Sequence, residues 1–356
     1  CQQRELPNEM ELLLSLPALE EGGHSGEEVE KFWLAARDVA LAVRRQNSLN
    51  SSAPELTRLL AAAQQFQGSL RGLYGKELEL LRHVILNAEP NDLMSACQAM
   101  ETFGTDVLQG EMGLSNEAGA GDHINGRWLK LAAGEKAQVL AAAMQASPSN
   151  RVLELGTYCG YSAMVICQAI DDVSVTTIEN DPVHAVIAMN ILAFAGVSEK
   201  VKVLIGHSLS LLPRLGCSNR FGGVFTDTRG SRYDQEVLMM IERDLLEPKA
   251  VIVADNVLKP GSPLFLWLIT RDARFKTEIH SVGEFAMPAK DWMSVSIYDP
   301  DDPEAKTGAS PPPPSAELIR LHEATDEMRT RALSHIRSVT YSEWARFASE
   351  MEHSLS

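Results

Sequence analysis

The sequence between Arg151 and Tyr298 alternates short β-branched runs with segments of helical periodicity. The first five runs are Arg151–Leu155, Ser174–Glu179, Val201–Ile205, Gly222–Asp227 and Lys249–Asp255. This alternation is typical of βαβ units, whose strands lie side by side in a parallel sheet. Two later runs, Phe275–Ser281 and Trp292–Tyr298, are separated by a short loop and predict an antiparallel hairpin. The pattern therefore predicts an α/β fold, a doubly wound, Rossmann-like sheet of five parallel strands with an antiparallel terminal hairpin.

Helical patterns and a proline-rich segment flank this region. Residues 1–74 carry apolar side chains at helical spacing, which predicts a helical extension that packs on its own domain or on a partner. The α/β domain is predicted to occupy residues 75–299. Residues 300–315 are acidic and rich in proline, so we expect an extended or disordered linker. Residues 316–356 predict a helical tail.

Composition excludes several classes of protein. Asp and Glu number 48 against 32 Lys and Arg, so the protein repels phosphate backbones and we expect no nucleic-acid partner. The five cysteines form no CxxC pair, which argues against a zinc ribbon and a disulfide framework and favours the reducing cytoplasm. No apolar run reaches the roughly 18 residues that a membrane span needs. The sequence begins at Cys1, as expected of a fragment that lacks its native N-terminus.

The segment VLELGTYCGYS, residues 152–162, lies where a strand passes into a helix. Gly156 and Gly160 let the backbone approach a ligand, and the free N–H groups of the following helix favour an anionic group. The spacing lacks the third glycine of a dinucleotide motif. Glu179 ends the second strand, where an acidic residue can accept hydrogen bonds from ribose hydroxyls. Together these features predict nucleoside binding.

Acidic and amide side chains end the next two strands. Asp227 follows the fourth strand, and Asp255 and Asn256 follow the fifth. Because the carboxyl ends of neighbouring parallel strands meet at one edge of a sheet, these side chains are expected to lie together. Two carboxylates and an amide are oxygen ligands suited to Mg²⁺. The sequence therefore predicts a magnesium site at this edge.

From about residue 75 to residue 299 the sequence resembles the catechol O-methyltransferase family, whose members depend on S-adenosylmethionine and Mg²⁺. The segments that carry the resemblance are KELELLRHVILNAEPND (76–92), VLELGTYCGYSA (152–163), AFAGVSEKV (193–201), FTDTRGSRYD (225–234) and ADNVLKPGSP (254–263). The residues outside this range have no counterpart in that family. The resemblance implies a Rossmann-like methyltransferase that transfers a methyl group to one hydroxyl of a catechol-type small molecule chelated to Mg²⁺.

The resemblance also implies roles for individual residues. Those implied to contact the cofactor are Glu154, Gly156, Tyr158 and Ser162 at its methionine moiety, Glu179 at the ribose and Ser208 at the adenine. Those implied to hold Mg²⁺ are Asp227, Asp255 and Asn256. Asp227 and Glu284 would act on the acceptor, and Trp128 and Pro260 match apolar walls of its slot.

Five positions depart from the family pattern. Gly230 stands at the position of the lysine base, and Arg229 at that of an aromatic wall residue. Thr228 and Leu209 replace a histidine and a glutamine that contact adenine, and Gly283 replaces a leucine of the slot. The cofactor and metal positions survive, whereas the base does not.

We therefore expect a slow enzyme, because Gly230 cannot accept a proton and a general base is typically worth about 10²- to 10⁴-fold. Water or a more distant group, Lys259 or His207, would take the proton, and Gly230→Lys is expected to speed turnover. Two other classes stay open. One is a catalytically impaired module that binds S-adenosylmethionine and engages a partner through its extra helices. The other is a nicotinamide-dependent dehydrogenase, which the missing third glycine disfavours.

Overall fold

The computed structural model describes residues 26–46, 54–66, 74–107, 129–216, 220–287, 289–307, 312–333 and 339–355. The helices are α1 (Gly26–Gln46), α2 (Pro54–Gln65), α3 (Gly75–Asn87), α4 (Leu93–Thr102), α5 (Glu135–Gln145), α6 (Tyr161–Ala169), α7 (Pro182–Phe194), α8 (Ser208–Leu211), α9 (Tyr233–Glu242), α10 (Pro263–Arg271), α11 (Pro303–Thr307), α12 (Ala316–Leu333) and α13 (Tyr341–Leu355). The strands are β1 (Arg151–Leu155), β2 (Ser174–Glu179), β3 (Val201–Ile205), β4 (Phe221–Thr226), β5 (Leu246–Ala254), β6 (Phe275–Gly283) and β7 (Lys290–Tyr298). No helix within these ranges is long and apolar enough to cross a membrane.

The strands form one sheet in the order β3-β2-β1-β4-β5-β7-β6. Strands β1 to β5 are parallel, and β7 pairs antiparallel with both β5 and β6. This confirms the predicted fold class. Strand order reverses between β1 and β4, and a doubly wound sheet binds its ligand in the crevice at such a point. Strands β4 and β5 end one residue earlier than predicted, so Asp227 and Asp255 are the first residues beyond them.

Helices cover both faces of the sheet. Successive side chains of a strand point to opposite faces, and accordingly Val152 and Leu153 of β1 are buried in two different apolar clusters. The N-terminal helices contribute to the first of these. In α1, Phe32 and Trp33 are buried in the same cluster as Ile187 of α7. The described part of the predicted helical extension therefore packs into the same apolar core as one face of the sheet.

The C-terminal segment departs from its prediction at one point. Part of the predicted linker, Pro303–Thr307, forms the short helix α11 instead of an extended chain, while residues 308–311 lie outside the described residues. The predicted helical tail begins at Ala316. This segment forms a small apolar cluster of its own, built on Met328 of α12 and on Val339, which precedes α13. The division into separate domains stays a prediction.

Candidate active site

The candidate site is a cavity of about 580 Å³ beyond the carboxyl ends of β1, β2, β4 and β5. This is the crevice that the sheet topology predicts for a ligand. Its walls also include residues of α5 and of the C-terminal helices α12 and α13. A larger groove of about 750 Å³ lies on the surface between α9 and α12, but none of the predicted site residues lines it. The predicted chemistry therefore lies in the smaller cavity.

The loop after β1 lies directly against the loop after β4. The N–H of Asp227 donates to the Leu155 carbonyl (2.8 Å), and the N–H of Gly156 donates to the Ile178 carbonyl (2.9 Å). Gly156 has a φ of +96°, and a Cβ at this position would lie 2.9 Å from the Asp227 carbonyl carbon. Only glycine avoids both the left-handed strain and this overlap. The close approach brings the predicted cofactor loop and the predicted metal aspartate into one crevice.

Glu179, the last residue of β2, anchors the glycine-containing loop. Its Oε2 accepts hydrogen bonds from the N–H groups of Thr157 (3.2 Å) and Tyr158 (2.8 Å), and its Oε1 accepts one from the N–H of Asp181 (2.8 Å). A carboxylate offers about four acceptor positions. The backbone takes three of them, which orients the carboxylate at the cavity wall before any ligand binds.

Ser208 begins α8 beside a buried carboxyl group that the sequence analysis missed. Its hydroxyl donates to Oε1 of Glu236 (2.5 Å), and those of Thr226 and Thr228 donate to the same carboxyl (3.3 and 3.2 Å). Burial raises the pKa of Glu236 to about 7, although the three hydroxyl donors oppose the rise. The cavity wall predicted to contact adenine is thus rich in hydroxyl groups around one carboxyl.

The remaining predicted cofactor residues lie on both sides of the glycine-containing loop. Tyr158 and Ser162 line the cavity. The Tyr158 hydroxyl donates to Glu77 of α3 (2.7 Å). Glu154 is fully buried behind the loop, where Thr177 donates to its carboxyl (2.5 Å) and burial raises its pKa to about 7. Glu154 is therefore buried beneath the loop and does not line the cavity.

Carboxyl groups gather around one buried lysine in the cavity wall. Lys136 of α5 donates to Asp255 (2.9 Å), Asp291 (2.7 Å) and Glu284 (3.1 Å). Burial favours the neutral amine, but the three carboxylates outweigh it and raise the pKa of Lys136 well above its usual range. Burial also raises the pKa of Asp255 to about 6 and that of Glu284 to about 7. The single positive charge of Lys136 cannot neutralise three ionised carboxylates.

Oxygen atoms suited to a hard cation are left open in this cluster. The Asp227 carboxylate accepts no hydrogen bond from any described residue, and burial together with the charge of Asp255 raises its pKa. The amide N–H₂ of Asn256 donates to Asp291, which leaves the Asn256 Oδ1 free of described donors. These atoms and Asp255 suit Mg²⁺. Within the described ranges, no group of three His, Cys, Asp or Glu side chains is arranged to hold a metal ion. A site here would therefore also need the Asn256 amide oxygen.

The C-terminal helices reach the mouth of the cavity. Arg229, which follows β4, donates from Nε to Oδ1 of Asp326 on α12 (2.7 Å) and from Nη2 to the Asp326 carbonyl (2.8 Å). The Ser231 hydroxyl donates to the same carboxylate. On α13, Met351 packs on Gly261 in the turn after β5. Arg229, at the position of an aromatic wall residue, thus anchors α12.

Gly230, at the position of the family lysine, is covered by Arg329 of α12. A Cβ at Gly230 would overlap Arg329 Nη2, and it would lie 2.9 Å from Arg329 Cζ and 2.5 Å from Ser262 Oγ. Arg329 Nη1 donates to the Gly261 carbonyl (2.8 Å). The guanidinium therefore fills the space into which a side chain at position 230 would project. There is no room for the lysine that the sequence analysis proposed to introduce.

The structure brings most of the predicted site residues together. Those that line the cavity are Gly156, Tyr158, Ser162, Glu179, Ser208, Asp227, Asp255, Asn256, Pro260 and Glu284. Trp128 lies outside the described residues. Sequence reasoning missed Lys136, Glu236, Asp291 and Arg329. Lys136 is the second residue of a helix that Gly134 precedes, which is a weak signal. Arg329 lies in a charged helical pattern that ordinarily marks a solvated face.

Comparison with known proteins finds O-methyltransferases. Residues 125–266 match the O-methyltransferase family. Catechol O-methyltransferase of Mus musculus is 30% identical over 227 residues, which are 63% of this chain and 78% of the mouse protein. Catechol O-methyltransferase B of Danio rerio is 30% identical over 250 residues, 67% of this chain and 91% of that protein. The solved structure of the O-methyltransferase TomG from Streptomyces achromogenes covers 60% of this chain and 92% of its own, with a TM-score of 0.44 and 22% identity.

The fold and these relatives identify a Rossmann-like O-methyltransferase. More specifically, the chain belongs to the catechol O-methyltransferase family.

Proposed function

We propose that the protein transfers a methyl group from S-adenosylmethionine to one hydroxyl of a catechol-type acceptor held at Mg²⁺. One observation supports this most strongly. The glycine-containing loop with Glu179 and the oxygen-rich group of Asp227, Asp255 and Asn256 line one cavity, and we refer to these two parts of its wall as the donor end and the acceptor end. Methyl transfer from a sulfonium is an in-line displacement, so the reaction needs sites for the donor and the acceptor in one cavity.

The donor end is built by the ends of β1, β2 and β3. Gly156 lets the loop approach the cofactor, and Glu179, already oriented by three backbone N–H groups, would accept a ribose hydroxyl. Ser208 and the hydroxyl-rich wall around Glu236 would face the adenine. Tyr158 and Ser162 would lie at the methionine end.

At the acceptor end Asp227, Asp255 and Asn256 would hold Mg²⁺. When bound, the ion would fix two vicinal oxygens and lower the pKa of the attacking hydroxyl. Lys136 holds Glu284 at the cavity wall (3.1 Å). The Glu284 carboxyl, whose pKa is raised to about 7 by burial, would accept a hydrogen bond from the acceptor.

No general base stands at position 230. Arg329 covers Gly230 and remains protonated at neutral pH, since burial lowers its pKa only to about 10. Of the more distant groups, Lys259 donates to the Lys290 carbonyl (3.0 Å) and His207 contacts Arg232. The proton would therefore leave through water or through Glu284, and turnover would be slow.

The missing base also favours a second candidate, a catalytically impaired module that binds S-adenosylmethionine and engages a partner. The three residues proposed for Mg²⁺ argue against it, because binding of the cofactor alone does not need them.

A methyl-transfer assay across a panel of catechols, with and without Mg²⁺, tests the proposal. The expected result is turnover that EDTA abolishes and Asp255→Asn removes, while titration calorimetry shows S-adenosylmethionine binding nearly unchanged. Asp171→Asn, an exposed aspartate after α6, is the matched control and should retain activity. Cofactor binding without turnover on any catechol would support the second candidate. Full activity in EDTA would refute the metal site.

A further inference from the structure

Arg329 is a buried cation without a counter-ion in the part of the chain that the structure describes. Its side chain is 8% exposed, and its one hydrogen bond runs from Nη1 to the Gly261 carbonyl (2.8 Å). No described carboxylate lies within ion-pairing distance. The guanidinium nevertheless lines the acceptor cavity. Its other N–H groups therefore remain available to a ligand there.

The nearest acid on α12 is already engaged. Asp326 accepts hydrogen bonds from Arg229 (2.7 Å) and from Ser231, and these contacts hold α12 in place. Arg329, one turn further along the helix, forms no ion pair with any described carboxylate. A buried charge is costly unless it is paired, so an unpaired guanidinium on a cavity wall indicates an anionic ligand.

The cavity lining carries both signs of charge. Asp227, Asp255 and Glu284 line it, and the vicinal hydroxyls of an acceptor are proposed to bind there. Arg329 lines the same cavity, as do Ala332 and Trp344 of the C-terminal helices. An acceptor that carries both a hydroxyl pair and a negative group would match this lining.

We infer that Arg329 binds a carboxylate on the acceptor, so that the preferred substrates are catechols with an acidic side chain. The inference rests on the proposed function and adds a substrate class to it. A planar guanidinium matches a carboxylate through two parallel N–H···O bonds. Arg329 is thus a specificity-determining residue that the C-terminal helix supplies to the α/β domain.

The test compares 3,4-dihydroxyphenylacetate with its methyl ester. Only the acid carries a negative charge, on a carboxylate that one methylene group joins to the ring. We expect kcat/KM to favour the acid at least about tenfold in the unmodified protein, mainly through KM. In Arg329→Gln the preference should vanish, whereas Arg329→Lys should keep part of it. Arg320→Gln, an exposed arginine on the same helix, should keep all of it.

Equal kcat/KM values for acid and ester, or a preference that survives Arg329→Gln, would overturn the inference. So would weaker S-adenosylmethionine binding in Arg329→Gln, since the guanidinium would then serve the cofactor. Thermal unfolding of each variant shows whether α12 still packs on the α/β domain. If Arg329→Gln does not fold, the acid and the ester are compared in Arg329→Lys instead. If no acceptor is methylated, the proposed function fails. Calorimetric titration of the acid into the unmodified protein and both variants then decides the inference alone.

Discussion

The donor end and the acceptor end of the cavity are built in different ways. At the donor end, backbone N–H groups of the loops after β1 and β2 converge on Glu179. At the acceptor end, side chains from distant elements meet, as Lys136 of α5 does with Asp255 after β5 and Asp291 of β7. The first arrangement follows from the sheet, whereas the second depends on how the whole chain packs.

The difference suggests where this protein departs from its family. Contacts made by the backbone depend little on side-chain identity, and the donor end keeps Gly156 and Glu179. The acceptor end has Gly230 where the resemblance implies a lysine, and Arg329 of α12 covers that position. Substitutions at the two ends should therefore have different consequences.

The largest effect is expected from Lys136→Met. The substitution removes the buried cation that pairs with three carboxyl groups. Breaking a buried charge pair lowers the free energy of unfolding by about 3–5 kcal/mol. Urea unfolding in the presence of EDTA measures it. Lys202→Met, at an exposed position of β3, should change stability by no more than about 0.5 kcal/mol. Equal losses in both variants would show that the acceptor cluster is not held by this lysine.

Glu236→Gln should remove a pH dependence of stability. The pKa of Glu236 is raised from its ordinary 4.5 to about 7, so the folded protein holds this proton more tightly than the unfolded chain. Its stabilising contribution is full below about pH 4.5 and is lost as the pH rises through about 7. Relative to the unmodified protein, the free energy of unfolding of the variant should therefore be higher at pH 8 than at pH 4.5 by up to about 3 kcal/mol. Unfolding at both pH values checks this, with exposed Glu242→Gln on the same helix as control; parallel pH profiles for all three proteins would contradict it.

Gly230→Ala probes the contact between α12 and the α/β domain. The added methyl group would overlap Arg329, and overpacking of this kind costs about 1–3 kcal/mol. Thermal unfolding should therefore show a loss that Gly283→Ala does not, because a Cβ at Gly283 meets its nearest atom at an ordinary 3.5 Å. For the same reason we expect Gly230→Lys to slow methyl transfer. A faster Gly230→Lys enzyme would mean that Arg329 yields its place to the lysine.

The smallest effect is expected at the donor end, for Glu179→Gln. The amide loses the charge and turns an N–H₂ group toward backbone donors, so S-adenosylmethionine affinity should fall at least about tenfold, or about 1.4 kcal/mol. Titration calorimetry measures the dissociation constant. Glu199→Gln, exposed beyond α7, is the control. An unchanged dissociation constant in Glu179→Gln would remove Glu179 from the nucleoside site.

Much of the fold could be predicted from local patterns. The alternation from Arg151 onward predicted the parallel strands, and Phe275 and Tyr298 were placed correctly in the terminal hairpin. The helix Pro303–Thr307 was missed because acidic and proline-rich composition outweighed its weak helical signal. The orientation of Arg229 toward Asp326 could not be predicted, since its partner lies 97 positions further along the chain.

The sequence by itself determined the sheet, and it predicted the edge at which ligands bind and a donor end with Gly156 and Glu179. Periodicity and strand ends are local properties, and neighbouring parallel strands bring their ends together without further information. Only the tertiary structure placed Lys136 beside Asp255, 119 positions away, and laid Arg329 over Gly230. Buried ion pairs and shared cavity walls join segments that no local pattern relates, so the charge of the acceptor end was decided by packing.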